Sequence, residues 1–448
     1  MKLLHAVAAT SALLSGLAAA ERAVKQLYHV TLPKSALDTA FAKFGDELDV
    51  WKAVPLDDGN VLADVYVQDS TISKFRSIGK DVKIERDAVD TASYLAERST
   101  VRAACSTRTT GWLDDLPLAT KYVDNAFFDC WRKPDEVYAF FDSLVADNPT
   151  IFSKIPQVTK TFEGRTVPGY KISTGSGKKS IYVQGLIHAR EWHAGSTAYY
   201  SIASFLDGLR SGDASIKAIF DEYDYYIVPI LNLDGHLWSW SNDRLWRKNR
   251  RPTGSSWWGG KTFGVDLNRN YGPAEFFGKG GDSKSSETYP GTAVLSEPET
   301  AGSFNFLSKL PNLKGAIDVH SYSGLLPNLK GAIDVHSYSG LVLRPFGNQN
   351  AQAPAPWGGK LKTLGDNVAI ATMAGSNVKY TSQTAAELYL AYGTFTDAIF
   401  SVLNKTASVT FEMEGNSFVQ PESAIRPAGQ RVFNGIVQFI KELKAYYS

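Results

Sequence analysis

A histidine and a carboxylate stand three positions apart at His188 and Glu191, directly after an apolar stretch with the pattern of a strand. Such a pair can supply two ligands to one zinc ion, and a hydrolytic zinc site takes a third protein ligand and keeps one position for water. Two histidines with identical surroundings, His320 and His336, could complete the set. The sequence therefore predicts a metal centre with two candidates for its third ligand.

The two candidate histidines lie at equivalent positions of a perfect tandem repeat, in which residues 310–325 recur as 326–341. Two copies are too few to build a repeat architecture. We interpret the repeat as a duplication that arose in the sequence or gene model, and a recent duplication in the gene itself is the second interpretation. Only one copy can supply a strand beside His188. We expect His336 to complete the centre, because the extra residues would then precede the strand on the side away from the metal, where insertions are tolerated best. His320 is the alternative.

Apolar segments typical of strands alternate with segments typical of helices from residue 109 to residue 448. This alternation predicts an α/β fold with a mixed, mostly parallel sheet flanked by helices. Ligands of such sheets bind at the carboxyl ends of strands. These ends are predicted next to His188, Glu191, His336 and Glu412, so we expect the four side chains to meet at one edge of the sheet. The predicted strands include 180–187, 225–231, 332–335 and 408–411, and the predicted helices include 194–209, 298–310, 360–374 and 430–447.

The first part of the chain has a different organisation. Residues 1–20 combine a charged start, an apolar run and three alanines, which is the pattern of a secretory signal peptide. Residues 21–108 follow a βαββαβ order, which predicts a small ferredoxin-like α+β domain. Basic residues in the helical connector at its end invite proteolysis. These residues are Arg98, Arg102 and Arg108.

Composition excludes some classes of function. A formal net charge of +1 over 448 residues shows no bias toward nucleic acid, and no apolar segment reaches the roughly 20 residues that a membrane span needs. Cys105 and Cys130 could form one disulfide in an oxidising compartment, or remain two unpaired thiols. Asn404, in an Asn-Lys-Thr triplet, is a candidate N-glycosylation site. We therefore expect a secreted, extracellular protein, and a monomer.

Six short motifs in register identify a family. Together they resemble a fungal-type secreted zinc metallocarboxypeptidase of the carboxypeptidase A family, made with an N-terminal pro-domain. The resemblance covers nearly the whole chain and implies an exopeptidase that hydrolyses C-terminal residues from peptides and proteins, after an activating protease has cut the zymogen. The motifs are His188-Ala-Arg-Glu191-Trp, Arg244-Leu-Trp-Arg247-Lys, Gly264-Val-Asp-Leu-Asn268-Arg269-Asn, Ser286-Glu-Thr-Tyr289, His336-Ser-Tyr338-Ser and Thr410-Phe-Glu412.

The resemblance implies a role for each matching residue. His188 and Glu191, with His336 or its duplicate His320, would hold one Zn²⁺ per chain, and Asp266 would orient the ring of His188. Glu412 would act as the general base toward a zinc-activated water. Arg247 would be the cation that stabilises the oxyanion. The implied substrate-binding residues are Arg190, Asn268, Arg269, Tyr338, Tyr389 and Thr396.

Specificity depends on the position of Thr396, which the resemblance places at the floor of the pocket for the substrate's C-terminal side chain. An acidic residue there would favour lysine or arginine by charge pairing, and threonine would not. We therefore expect aromatic or aliphatic C-terminal residues. Two other functions stay open from the sequence: a zinc amidohydrolase or deacylase acting on small molecules, and a binding protein that lost catalysis because the duplication misplaces a ligand.

Overall fold

The computed structural model describes residues 25–44, 47–56, 58–87, 91–255, 261–279, 283–321, 339–415 and 417–448. The predicted signal peptide, 1–20, lies outside these residues, and so do His336 and Tyr338 of the second repeat copy. Within the described residues, no helix is both long and apolar enough to cross a bilayer.

Alternating apolar residues fold the N-terminal part into a four-stranded antiparallel sheet of order β2-β3-β1-β4. Strand β1 buries every second residue toward its helices, including Val30 and Leu32, and Phe75 of α2 packs on the same core. The βαββαβ order is the predicted one. Its elements are β1 Lys25–Pro33, α1 Lys34–Phe44, β2 Val50–Pro55, β3 Asn60–Gln68, α2 Asp69–Phe75 and β4 Lys83–Arg86.

A single helix, α3 (Thr91–Arg108), leads from this unit to the rest of the chain. Near its end, Cys105 forms a disulfide with Cys130, which lies beyond the helix. The disulfide thus cross-links the connector to the part of the chain that follows it, in addition to the backbone. The next helices are α4 Trp112–Asp115 and α5 Pro134–Asp147.

The remainder is built on an eight-stranded mixed sheet of order β13-β12-β14-β11-β7-β8-β6-β5. Strands β14, β11, β7 and β8 are parallel neighbours, while β6 and β5 continue antiparallel on one side and β12 joins β14 antiparallel on the other. The eight strands are β5 Phe152–Lys160, β6 Thr166–Ile172, β7 Lys179–Gly185, β8 Tyr223–Val228, β11 Leu313–Ser321, β12 Ser339–Arg344, β13 Lys379–Thr384 and β14 Ala407–Met413. Strands β9 Pro252–Ser255 and β10 Lys261–Phe263 form a separate two-stranded antiparallel sheet.

Helices cover this sheet, so its central strands are buried along nearly their whole length, as parallel strands between helical layers should be. The predicted α/β fold with a mixed sheet flanked by helices is confirmed. The helices are α6 Trp192–Ser211, α7 Ala214–Glu222, α8 Leu233–Ser241, α9 Pro298–Ser308, α10 Trp357–Met373, α11 Ala385–Leu388, α12 Phe395–Val402 and α13 Ile425–Tyr447.

One strand comes from a different repeat copy than expected. The structure builds β11 from the first copy, and this strand pairs in parallel with β7 and β14. The predicted strand at 332–335 lies outside the described residues, whereas the last residues of the second copy, Ser339 to Leu341, begin β12. The first copy therefore occupies the place beside β7 that the sequence argument gave to the second.

Candidate metal centre and substrate cleft

The chain turns sharply where β7 ends, and this turn carries the first two candidate ligands. Leu186 has a positive φ of 53°, and the amide of Glu191 donates to the carbonyl of His188 at 3.3 Å. Glu191 then stands at the N-cap of α6. The amide of Ala189 donates to the carbonyl of Arg247 at 3.0 Å, which fixes the turn against the neighbouring loop. The strand–turn–helix sequence thus brings an imidazole and a carboxylate to one point.

His320 completes this group from the carboxyl end of β11. Nδ1 of His188 lies 2.8 Å from Oε1 of Glu191 and 3.1 Å from Nδ1 of His320, and Nδ1 of His320 lies 3.2 Å from Oε2 of Glu191. All three residues are buried. Within the described residues, they are the one group of three or more His, Cys, Asp or Glu side chains that lie close enough together to hold a metal ion. The structure thus gathers the alternative histidine, while the preferred His336 is outside the described residues.

The remaining nitrogen of each ring is held by a buried carboxylate. Nε2 of His188 lies 3.1 Å from Oδ1 of Asp266, and Nε2 of His320 lies 2.8 Å from Oδ2 of Asp318. Carboxylates in this position fix the ring and leave the other nitrogen for a metal. Two imidazole Nδ1 atoms and one carboxylate form a donor set that suits Zn²⁺ with an open position. The residues present therefore fit the zinc that the motif predicts.

Burial and charge act in opposite directions on these acids. Burial alone would raise the pKa of Glu191, but His188 and His320 outweigh it and the pKa is lowered. Burial likewise opposes ionisation of Asp266, yet Arg247 and His188 hold its pKa well below its usual range. Both carboxylates are therefore anionic at neutral pH, as a cation site requires.

Glu412 is the strand neighbour of His320, and Arg247 contacts His188. Glu412 sits on β14 directly opposite His320 of β11 in the parallel register. Burial raises the pKa of the Glu412 carboxyl to about 7, and the charges of His320 and Glu191 act on it in opposite directions. The guanidinium of Arg247 donates to Oδ2 of Asp266 at 2.7 and 3.1 Å, and its Nη1 lies 3.3 Å from Nδ1 of His188.

Asn268 and Arg269 stand on a short 3-10 turn that Asp266 caps, since Oδ1 of Asp266 accepts from the amide of Asn268 at 2.9 Å. The side-chain nitrogen of Asn268 lies 3.2 Å from Nε2 of His320. The Arg269 guanidinium donates to the Asn268 carbonyl at 2.8 Å and to the hydroxyl of Tyr389 at 3.4 Å. It is buried and forms no ion pair among the described residues. A buried guanidinium without a carboxylate partner can bind an anionic group of a ligand.

Arg190 is the predicted cleft residue that the N-terminal unit covers. Its Nη1 and Nη2 donate to the two carboxylate oxygens of Asp49 at 2.7 and 3.0 Å, and its guanidinium lies over the ring of Phe418 at 4.2 Å. Arg190 and Asp49 are both buried. A residue of the turn that carries His188 and Glu191 is thus occupied by a carboxylate from the preceding unit.

The candidate specificity residue Thr396 is 3% exposed, and its carbonyl accepts from Oγ of Ser408 at 3.0 Å. The acid beside it, Asp397, faces backbone amides. Its carboxylate accepts from the amide of Gly347 at 3.0 Å and from that of Asn348 at 2.9 Å. The carboxylate next to the predicted pocket floor is therefore engaged by the protein itself.

Sequence reasoning missed two residues that the structure places at the site. Asp318 had a usable signal, because residues two apart on a strand share a face and Asp318 precedes His320 by two. Asp49 had none, since its partner Arg190 is distant in the chain.

Tyr338 lies outside the described residues. Asn404 is exposed, in the turn between α12 and β14.

Comparison with known proteins identifies the family of this chain. A family model for zinc carboxypeptidases matches residues 137–435. Carboxypeptidase A1 of Bos taurus is 32% identical over 315 residues, which is 68% of each chain. A metallocarboxypeptidase A-like protein of Trichophyton verrucosum is 29% identical over 337 residues, 72% of each chain. The chain belongs to the zinc carboxypeptidase family, and the protein is a metallocarboxypeptidase that acts on peptide substrates.

The fold likeness extends further along the chain. The crystal structure of carboxypeptidase A from Helicoverpa armigera matches with a TM-score of 0.76 at 24% identity, covering 94% of this chain and 98% of that one. A match of this extent includes the N-terminal unit as well as the eight-stranded sheet.

Proposed function

We propose that the protein is a fungal-type, secreted exopeptidase that binds one zinc ion through His188, Glu191 and His320. Asn268 and Arg269 form the proposed clamp for the free C-terminal carboxylate of the substrate. The observation that carries this proposal is the 3.2 Å approach of the Asn268 side-chain amide to Nε2 of His320, which sets this clamp directly beside the metal ligands. An exopeptidase must recognise a free chain end within one residue of the bond that it cuts. Clamp and metal centre are close enough here for that requirement.

Zinc, when bound, would supply a Lewis acid that polarises a carbonyl and lowers the pKa of water. The protein's own groups then handle the proton and the developing charge. Glu412 takes a proton from the attacking water and returns it to the leaving amine, for which a raised pKa near neutrality is suitable. Arg247 places a cation where the carbonyl oxygen becomes negative. Arg269 binds the terminal carboxylate through a planar guanidinium suited to two parallel hydrogen bonds, and the hydroxyl of Tyr389 lies within reach of it.

The preferred C-terminal residues are aromatic or aliphatic. Thr396 brings no charge to the predicted pocket floor, and the neighbouring Asp397 already accepts hydrogen bonds from Gly347 and Asn348. A lysine or arginine side chain would find no free carboxylate at either position. Leu343 and Thr410, which pair across β12 and β14, are further candidate lining residues.

The protein is made as a zymogen, in which residues 21–108 form the pro-domain and 109–448 the catalytic domain. The bidentate contact of Asp49 with Arg190 supports this proposal, and so does an apolar cluster that joins Leu27 of β1 to Leu245, Phe418 and Val419. The hydroxyl of Tyr94, on α3, also donates to the carbonyl of Val419 at 2.9 Å. Removal of this unit by an activating protease would uncover the cleft. The signal sequence, glycosylation at Asn404 and a monomeric state remain parts of the same proposal.

The test is release of C-terminal Phe, Leu, Arg and Glu from N-blocked dipeptides, before and after limited trypsin treatment, with and without a chelator. We expect low activity before cleavage, high activity on Phe and Leu after cleavage, and loss of activity with the chelator that added zinc restores. Chelator-resistant activity, or hydrolysis of small amides but not of dipeptides with a free carboxylate, would contradict the proposal. The latter result would favour the amidohydrolase alternative.

A further inference from the structure

The Cys105–Cys130 disulfide divides the arginines of the connector into two groups. Arg98 and Arg102 precede Cys105 on α3, whereas Arg108, the last residue of that helix, follows it. Cys130 belongs to the part of the chain that carries the metal centre. A cut before Cys105 therefore separates the N-terminal unit from the rest, whereas a cut after Arg108 leaves the two pieces joined through sulfur.

The three arginines are not equally open to a protease. The Arg98 guanidinium lies 3.6 Å from the carboxylate of Glu422. That of Arg102 packs against two stacked tryptophans, at 5.0 Å from the ring of Trp192 and 5.2 Å from that of Trp240. Arg108 is exposed. Thr109, on the other side of the bond, is buried and its amide donates to the carbonyl of Cys105 at 3.1 Å, so cleavage after Arg108 requires the last turn of α3 to open. Helix ends open more readily than helix interiors, which favours Arg108 over Arg98 and Arg102 as the site of a trypsin-like cut.

We propose that cleavage after Arg108 produces a latent two-chain form, and that activation needs either a cut before Cys105 or reduction of the disulfide. This inference rests on the proposed zymogen function. Hydrolysis of the Arg108–Thr109 bond consumes one water and leaves a carboxylate on Arg108 and an amine on Thr109, and the disulfide is unchanged. Its later reduction takes two electrons and two protons from an added reductant and yields the two cysteine thiols.

The tether keeps the cleft covered because the contacts over it are not altered by the cut. The Asp49–Arg190 ion pair, the apolar cluster around Leu27 and the Tyr94–Val419 hydrogen bond involve neither Arg108 nor Thr109. A short covalent link gives the N-terminal unit an effective concentration on the order of millimolar, so it rebinds whenever these contacts open. Without the link, the same unit would dilute into solution.

Two variants separate the two kinds of cut. In the R98Q/R102Q variant, Arg108 is the arginine left among the three, and in R108Q the other two remain. Each is treated with trypsin in a limited way, the cut bonds are identified by intact mass, and the products are run on denaturing gels with and without a phosphine reductant, which does not compete for zinc as thiols do. The phosphine becomes its oxide with oxygen from water. Activity on a blocked dipeptide is measured in parallel.

For R98Q/R102Q we expect cleavage after Arg108, one band without reductant and two with it, and activity that stays within about threefold of the uncut protein until the phosphine is added. For R108Q we expect the pieces to separate without reductant and activity to rise at once; its insensitivity to the phosphine shows that the reductant does not harm the enzyme. Because Arg102 packs on Trp192, the uncut R98Q/R102Q protein provides the baseline.

Three results would overturn the inference: no cleavage after Arg108, separation of that product without reductant, or full activity while the disulfide is intact. Failure of the zymogen proposal looks different. In that case the uncut protein would already be active, while the gels would still report whether the N-terminal unit is tethered.

Discussion

Asp49 and Arg190 form a buried bidentate ion pair, with N–O distances of 2.7 and 3.0 Å, between the small N-terminal sheet and the turn that carries His188 and Glu191. The two residues are 141 positions apart in the chain. The turn that holds two candidate metal ligands is therefore also a point of contact with the N-terminal unit.

Asp49→Asn should weaken the binding of the N-terminal unit to this turn. Removing one partner of a buried ion pair costs about 3–5 kcal/mol, because the other charge stays buried without compensation. We expect the basal activity of the uncut protein on a blocked dipeptide to rise at least tenfold, with the activity after cleavage unchanged. Glu47→Gln is the matched control, since Glu47 forms an exposed ion pair with Lys74 in the same unit. Equal basal activities for the two variants would contradict an inhibitory role for Asp49.

The sequence predicted the parts of the fold that depend on local periodicity. Helices such as α6 and α13 and the βαββαβ unit were predicted with small shifts at their ends, because their apolar spacing is regular. Strands β5 and β6 were missed: β5 lies at the edge of the sheet and alternates poorly. The motifs marked His188, Glu191 and Glu412, but two identical histidines have the same local sequence, and only pairing in the sheet distinguishes them.

The two histidines of the repeat provide a test with an internal control. His320→Ala removes a residue of the cluster, whereas His336→Ala makes the same change in the identical segment. We expect wild type and His336→Ala to bind one zinc per chain, and His320→Ala to lose most of its zinc and activity. Metal analysis after dialysis and the thermal unfolding midpoint provide the measurements. Zinc loss confined to His336→Ala would show that the second copy supplies the ligand in solution.

Asp318→Asn should loosen the metal without removing a ligand. Its Oδ2 holds Nε2 of His320 at 2.8 Å, and loss of such an outer carboxylate typically costs about 10- to 100-fold in metal affinity. Competition with a chromophoric chelator measures this change. Asp224→Asn is the control, because Asp224 is also a buried aspartate of the central sheet but pairs with Lys171. If the two variants bind zinc equally well, Asp318 does not support the metal centre.

The pH dependence should report the ionisation of Glu412. Burial raises its pKa to about 7, and the base must be ionised to accept a proton, so kcat/KM should fall as pH decreases below this range. A bound zinc cation favours the carboxylate, which moves the midpoint to 7 or below. Glu412→Gln should lower kcat by about 10²- to 10⁴-fold and remove this acidic limb, with zinc retained. An unchanged acidic limb in this variant would assign the titration to another group.

Thr396→Asp should change which C-terminal residue is removed. The side chain is 3% exposed, so a carboxylate there would be desolvated and would gain from pairing with a substrate cation. Leaving one member of a buried hydrogen-bonded charge pair without its partner costs about 2–5 kcal/mol. A Phe substrate would leave the aspartate unpaired and an Arg substrate would not, so we expect the ratio of kcat/KM for Phe over Arg substrates to fall at least 30-fold. Thr396→Val is the control, since it removes the hydroxyl without adding charge and should leave Phe preferred. If the aspartate variant folds, binds zinc and keeps the original ratio, the pocket floor lies at another residue, because a charge in contact with the substrate's side chain cannot be neutral toward both Phe and Arg.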